Sequence, residues 1–350
     1  MRLAERRSDT VLNLRVGEIV EVRGPEEILG TLDERGTLEA LPFMPELLQY
    51  CGRRFRVFKR ADRTCDTIEY SGMRRMNNAV HLENVRCDGE AHGGCQAGCL
   101  IFWKEAWLKR VPNENGNGRM PALPKSSTVT GEREGRHVDF EVARSGLIPF
   151  TRQDVSADDA DEAIYSCQST ELRRATSELR EGLLIQCSRD VRSGTLSMWA
   201  ILRFYLFKLF NLVQQRRRGL TYPCISGTLT KTPSQGLGLQ PAELVHVKRV
   251  DEIVKTLDVQ NKNRGLSFDV EMAKYCGGQY RVLRRVQRVI NEKTGQMMQF
   301  PNDCVVLNGV VCSGEFHWLC PRSIFPFWRE IWLRRAEEHP SQRPSKRCVS

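Results

Sequence analysis

Cysteine and histidine crowd into one stretch of this chain, "RCDGEAHGGCQAGCLIFWKEAWLKR", which runs from Arg86 to Arg110. Cys87, His92, Cys95 and Cys99 fall within thirteen residues, and Cys65 precedes them. Cys87, Cys95 and Cys99, with Cys65 or His92, form a candidate four-ligand set. Sulfur and nitrogen donors point to tetrahedral zinc, and four cysteines alone would suit an iron–sulfur cluster. The glycines in "HGGCQAGC" would let the backbone fold closely around an ion. The Cys-x7-Cys-x3-Cys spacing lacks the paired C-x2-C knuckles of most zinc modules. Two metal-free alternatives stand beside the metal: reduced core thiols beside a tight turn, or disulfides Cys87–Cys95 and Cys65–Cys99. A nucleophilic cysteine has less behind it, because no carboxylate partner for His92 is legible nearby.

The chain repeats itself. Residues 17–111 align without a gap to 242–336 at a constant offset of 225, and 34 of 95 positions are identical. That is too long for a solenoid unit and reads as a duplicated domain. The second copy keeps Cys276, Cys312, His317 and Cys320, gains Cys304, and carries isoleucine in place of Cys65 and Cys99. Its weaker candidate ligand set is Cys304, Cys312, His317 and Cys320. Cys51 and Cys276 sit at an apolar helix end and read as packing residues.

Each copy predicts the same elements. "EIVEV" and "ELVHV" alternate like half-buried strands. "PEEILGTL" predicts a short helix and "PELLQYC" a second, ended by Gly52 or Gly277. "RRFRVFKR", "AVHLENVRC" and "LIFWKEAWLKRV" predict strands. The expected fold is α+β and mostly β: two homologous small SH3-like-barrel-type domains with a helical connector. A ferredoxin-like sandwich is the alternative.

If the last strand is unbroken, Trp103, Glu105 and Trp107 share one face, as do Trp328, Glu330 and Trp332. Such a face is either a platform for a sugar or a cationic group, or core with a paired glutamate. Arg56, Arg60 and Arg63 recur as Arg281, Arg285 and Arg288. They are a candidate anion-binding face, or a solvated strand face balanced by acids.

The domain reading is an N-terminal tail over 1–16, a first repeat over 17–111, and a flexible linker over 112–135 rich in Gly, Pro, Asn and Ser. A helical connector over 136–241, a second repeat over 242–336 and a tail over 337–350 follow. In the connector, "STELRRATSELREGLLIQC" has helical spacing through Leu172, Ala175, Leu179 and Leu183. An amphipathic helix is predicted at about 196–215. Its apolar side is expected to dock on one or both barrels. The alternative is a membrane interface over 196–218, where Arg216, Arg217 and Arg218 follow aromatic residues.

The net charge of +10 permits nucleic-acid contact without requiring it. No secretory signal and no apolar run of about 18 residues is present, so a cytoplasmic protein is expected, with peripheral contact at the inner face of the membrane as an option. There, clustered cysteines favour metal or redox chemistry over disulfides.

The motifs "LPFMPELLQYCG", "CDGEAHGGCQAGC" and "FWKEAWLKR", with "LTKTP", "YCGGQYRVLRR" and "FWREIWLRR", resemble a widespread bacterial group with a duplicated SH3-like-barrel-type domain. The resemblance implies common ancestry over nearly the whole chain. It implies no activity, cofactor or catalytic residue. The leading expectation is therefore a non-catalytic accessory, scaffold or binding protein whose first repeat holds zinc, with another protein as partner. An iron–sulfur or thiol redox protein and a nucleic-acid-binding tandem barrel are the alternatives.

Overall fold

The computed structural model describes residues 11–111, 140–153, 163–219, 222, 225–301 and 303–336. The expected linker and C-terminal tail lie outside these residues, as does most of the N-terminal tail. The chain divides into two compact units. Unit 1 comprises 1–93, 100–197 and 291–296, and unit 2 comprises 94–99, 198–290 and 297–350.

Unit 1 is built on a five-stranded antiparallel sheet of β1 (Ile19–Val22), β2 (Arg54–Arg60), β3 (Ala79–Leu82), β4 (Trp103–Lys104) and β5 (Leu108–Arg110). Their spatial order is β4-β3-β2-β1-β5. In β1 the alternation is borne out, since Val20 and Val22 are buried and the residues between them only half so. A helical turn, α1 (Pro25–Leu29), follows. Pro25 suits its first position, and Glu27 accepts from Gly24 N at 3.0 Å. The segment Pro45–Tyr50 is a 3-10 turn. Gly52 follows it at φ +72°, the left-handed region that glycine enters without steric cost.

The last strand is not continuous. A 3-10 turn over Glu105–Trp107 separates β4 from β5, so the two-residue alternation fails there. Both tryptophans turn into the core, where Trp103 and Trp107 are 0% exposed. They join Val20, Ile28, Val57 and Leu82. Glu105, also fully buried, gathers the N-terminal strap. It accepts from Leu12 N (2.6 Å), Asn13 N (2.9 Å), Leu14 N (3.0 Å) and Arg60 Nη1 (2.7 Å).

Unit 2 repeats this plan with β6 (Leu244–Val247), β7 (Gln279–Arg285), β8 (Cys304–Leu307), β9 (Trp328–Arg329) and β10 (Leu333–Arg335), in the order β9-β8-β7-β6-β10. The register is equivalent: Ile19 pairs with Arg56, and Leu244 with Arg281. Each second strand carries an irregularity at the same place, Val57/Lys59 and Val282/Arg284. Glu330 accepts from Leu237 N, Gly238 N, Leu239 N and Arg285 Nη1. The structural repeat thus begins at the straps, earlier than residues 17 and 242.

The connector is not a separate body. It belongs to unit 1 through Ser197 and to unit 2 from Met198. In unit 1, α2 spans Phe140–Leu147 and α3 spans Leu183–Ser193. The expected helix through Leu172 and Leu179 is absent. Hydroxyls compete for that backbone: Thr170 Oγ1 accepts from Cys167 N, and Thr176 Oγ1 donates to Leu172 O. Ser177–Glu178 instead pairs with the strand Met73–Arg75. In unit 2, α4 spans Met198–Arg216, close to the expected 196–215, and α5 is the turn Val250–Val254.

Candidate metal centre

Three ligand-type side chains from distant parts of the chain converge in unit 1. Glu46 sits in the 3-10 turn Pro45–Tyr50, and Cys87 and His92 come from the loop after β3. One candidate ligand atom from each lies within 4.8 Å of the others. In unit 2 the same holds for Glu271, Cys312 and His317, the positions 225 residues on. One triad therefore occurs twice, in equivalent places of the two repeats.

The loop reads Cys-x-Gly-Glu-x-His in both copies. Gly89 and Gly314 both adopt φ +78°. The turn closes when His92 N donates to Gly89 O (3.0 Å) and His317 N to Gly314 O (2.9 Å). The glutamate of the motif ties the loop to a helix of its own unit. Glu90 pairs with Arg144 of α2, and Glu315 with Arg203 of α4.

The outer contacts of the two histidines are of one kind. In unit 1, His92 Nε2 lies 3.0 Å from the Ser166 carbonyl oxygen, an acceptor that fixes the proton on Nε2. Its Nδ1 lies 2.5 Å from Glu46 Oε1. In unit 2, His317 Nε2 lies 3.1 Å from both oxygens of Asp269. A metal-binding imidazole is commonly held this way, its second nitrogen donating to a carbonyl or carboxylate. The Asp269 hydrogen bond raises the pKa of His317 despite burial, and Asp269, though burial opposes it, is held low by His317.

The glutamates differ. Glu271 is saturated: Oε1 accepts from Phe316 N (2.6 Å), and Oε2 accepts from Ser313 N (3.1 Å) and Ser313 Oγ (2.5 Å). In unit 1, Glu46 Oε1 accepts from Ala91 N at 3.1 Å. Asp88 stands where the second copy has Ser313, and it accepts from Gln49 instead. Glu46 is 6% exposed, and its Oε2 is buried with no hydrogen-bond partner among the described residues. An unsatisfied buried acceptor costs about 1–3 kcal/mol, more when charged.

Metal binding would displace the thiol proton and take up a neutral imidazole, so the bound set would be one thiolate, one carboxylate and one imidazole, with two negative charges. A divalent cation balances that set. Zinc at bonds of about 2.0–2.3 Å holds tetrahedral ligands about 3.4–3.6 Å apart. Loading unit 1 would therefore spread the 2.5 Å contact between His92 and Glu46 and engage the orphaned Oε2. Three protein ligands would leave a fourth position open. A nucleophilic thiol is not favoured in unit 2, where burial pushes Cys312 up to about 12 and Glu271 adds to the rise.

Of the five residues expected in the first metal set, Cys87 and His92 come together, and Glu46 joins them. Cys65 lies in the hairpin strand Arg63–Cys65. Cys95 and Cys99 belong to unit 2, where Cys95 Sγ accepts from Ile290 N at 3.4 Å. In the second set, Cys312 and His317 meet Glu271, whereas Cys304 is buried on β8 with its thiol pushed up to about 12. Cys320 is buried at 3% exposure. No disulfide joins the described cysteines. Burial likewise pushes Cys51 and Cys276 up to about 12, as befits packing residues.

Of the two readings of the tryptophan strands, the core with a paired glutamate holds and the ligand platform does not; of the two readings of the arginines, most are balanced by acids or carbonyls rather than presented to an anion. Trp103, Glu105, Trp107, Trp328, Glu330 and Trp332 are all 0% exposed and offer no face to a ligand. Arg60 is held by Glu105 and Asp62, Arg285 by Glu330 and Asp303, and Arg63 by Asp190. Arg56 and Arg281 donate to the carbonyls of Gly17 and Ala242. Arg288 is exposed on the strand Arg288–Ile290, outside the main sheets. Comparison with known families, curated proteins and solved structures returns no match to this chain.

Proposed function

We propose that this is a zinc-dependent, non-catalytic scaffold or binding protein with one Glu/Cys/His centre in each of two SH3-like-barrel-type repeats. The observation that carries the reading is the recurrence of one triad at equivalent positions. Most surrounding residues differ between the copies, whereas all three ligand types are kept and stay together, which supports a shared duty for them. The strand order supports the barrel. Four consecutive sheet strands meander, the fifth returns beside the first, and a 3-10 turn stands between the last two in each copy.

Unit 1 is the stronger centre, because Glu46 keeps an unused oxygen and Glu271 does not. A single thiol per triad counts against a four-cysteine iron–sulfur cluster. Internal neutralisation of the arginines counts against a nucleic-acid face.

The test is metal content of the full chain, followed by cobalt titration. Zinc should be retained, Cys87→Ser should remove the tighter equivalent, and Cys312→Ser should remove a weaker one. Cobalt should give a sulfur-to-metal absorption band that each serine variant diminishes. Protein that binds neither zinc nor cobalt while folded would overturn the reading.

A further inference from the structure

Helix α4 is mounted with its apolar side outward. At 100° per residue, Met198, Leu209, Leu202, Leu206, Trp199 and Phe210 fill a continuous arc of about 120°. They are 46% to 69% exposed. The side that holds the helix to unit 2 carries its polar groups. Arg203 pairs with Glu315, Lys208 Nζ lies 3.2 Å from the Trp318 ring centroid, and Asn211 exchanges two hydrogen bonds with the Tyr222 backbone. Phe204 and Phe207 pack on Trp318 and Phe316 along the same side. The expected arrangement, apolar face docked and polar face wet, is reversed.

Charge selects what covers that face. Between Asp190 and Glu243 the sequence has no acidic residue and seven basic ones. Three of these, Arg216, Arg217 and Arg218, are exposed at the end of the helix. A second copy seated on the same face would bring a second set of cations from this segment, and the segment itself offers no acid to meet them. An anionic lipid surface supplies both an apolar layer and negative headgroups. At 1.5 Å per residue the helix is about 28 Å long, enough to lie along such a surface. No helix among the described residues is long and apolar enough to cross a membrane.

We propose that α4 docks this protein on an anionic bilayer. The helix lies in the plane of the interface, with Met198, Trp199, Leu202, Leu206, Leu209 and Phe210 among the upper acyl chains. Arg216, Arg217 and Arg218 rest on headgroup phosphates. Unit 2 hangs from the polar side of the helix.

The experiment is flotation of the full chain with vesicles of phosphatidylcholine, alone or mixed with phosphatidylglycerol. The chain should float with the mixed vesicles and much less with phosphatidylcholine alone. Replacing the three arginines by glutamine touches only exposed side chains and should preserve folding. It should weaken partitioning about fivefold per arginine, or about a hundredfold together. Leu206→Glu with Leu209→Glu should abolish flotation while the thermal transition is kept. Protein that stays at the bottom of both gradients would overturn the proposal. So would a solution dimer dispersed by the Leu206→Glu/Leu209→Glu variant, because the face would then belong to a second copy.

Discussion

Changing Glu105 to glutamine tests how each repeat is held shut. The fully buried carboxylate accepts from four donors, Leu12 N and Asn13 N on Oε2, Leu14 N and Arg60 Nη1 on Oε1. Glutamine fits the space but offers one carbonyl oxygen. Its amide NH2 must face two donors in either orientation. Hydrogen bonds to a charged group contribute about 1.5–3 kcal/mol each. Breaking a buried ion pair from one side costs about 3–5 kcal/mol. Arg60 keeps Asp62 as a partner, which places the expected loss near the lower end, about 3 kcal/mol. Against a typical stability of about 5–15 kcal/mol, that is a large share of what unit 1 has. The assay is urea and thermal unfolding, with Glu330→Gln as the matched change in unit 2. Each substitution should lower the transition of its own unit by about 10 °C. A shift under about 1 kcal/mol for Glu105→Gln would mean that the strap is not fastened through this carboxylate.

Two further outcomes follow from the geometry of unit 2. His317 has a raised pKa and Asp269 a lowered one, so in metal-free protein their pair stabilises above the unfolded aspartate range and below the unfolded histidine range, about pH 4 to 6.5. Stability should fall as pH rises through the histidine's folded pKa, and again as pH drops through the aspartate's. Unfolding of chelator-treated protein across pH checks this, and an unchanged pH profile in Asp269→Asn would refute it. Gly314→Ala forces a side chain into φ +78°, with its Cβ 2.4 Å from Cys320 O. It should cost about 1–3 kcal/mol in urea unfolding and loosen metal binding in unit 2 only. Wild-type stability in that variant would contradict the close approach.

The sequence carried the duplication and most sheet elements openly, because alternation in "EIVEV" and glycine at 52 are local signals. It misled at "FWKEAWLKR" on continuity alone, where three residues of 3-10 turn break the strand, while the core reading of both tryptophans holds. Two of the three residues of the candidate centre were legible, Cys87 and His92 being close in sequence. Glu46 lies 41 residues before Cys87, and no spacing rule links them. The signal that would have found it was present: Glu46 and Glu271 match across the copies, as Cys87 and Cys312 do. Other carboxylates kept in both copies have local duties. Glu27 and Glu252 cap helices, and Asp33 and Asp258 close turns. Few other acids recur in both copies. The mounting of α4 was beyond reach, since amphipathic spacing names two faces without saying which is anchored.

Each unit includes six residues from the opposite half of the chain, 291–296 in unit 1 and 94–99 in unit 2. Gln96 shows how firmly such a piece is fixed: its backbone N–H donates to Arg288 O, and its side-chain Oε1 accepts from Gln287 N and Arg288 N. Duplicated domains usually stay exchangeable, free to be lost, shuffled or fused elsewhere one at a time. Here a break between the copies would leave both halves incomplete. Expressed apart, each copy is expected to fold less stably than in the joined chain, because its unit would lack six of its own residues.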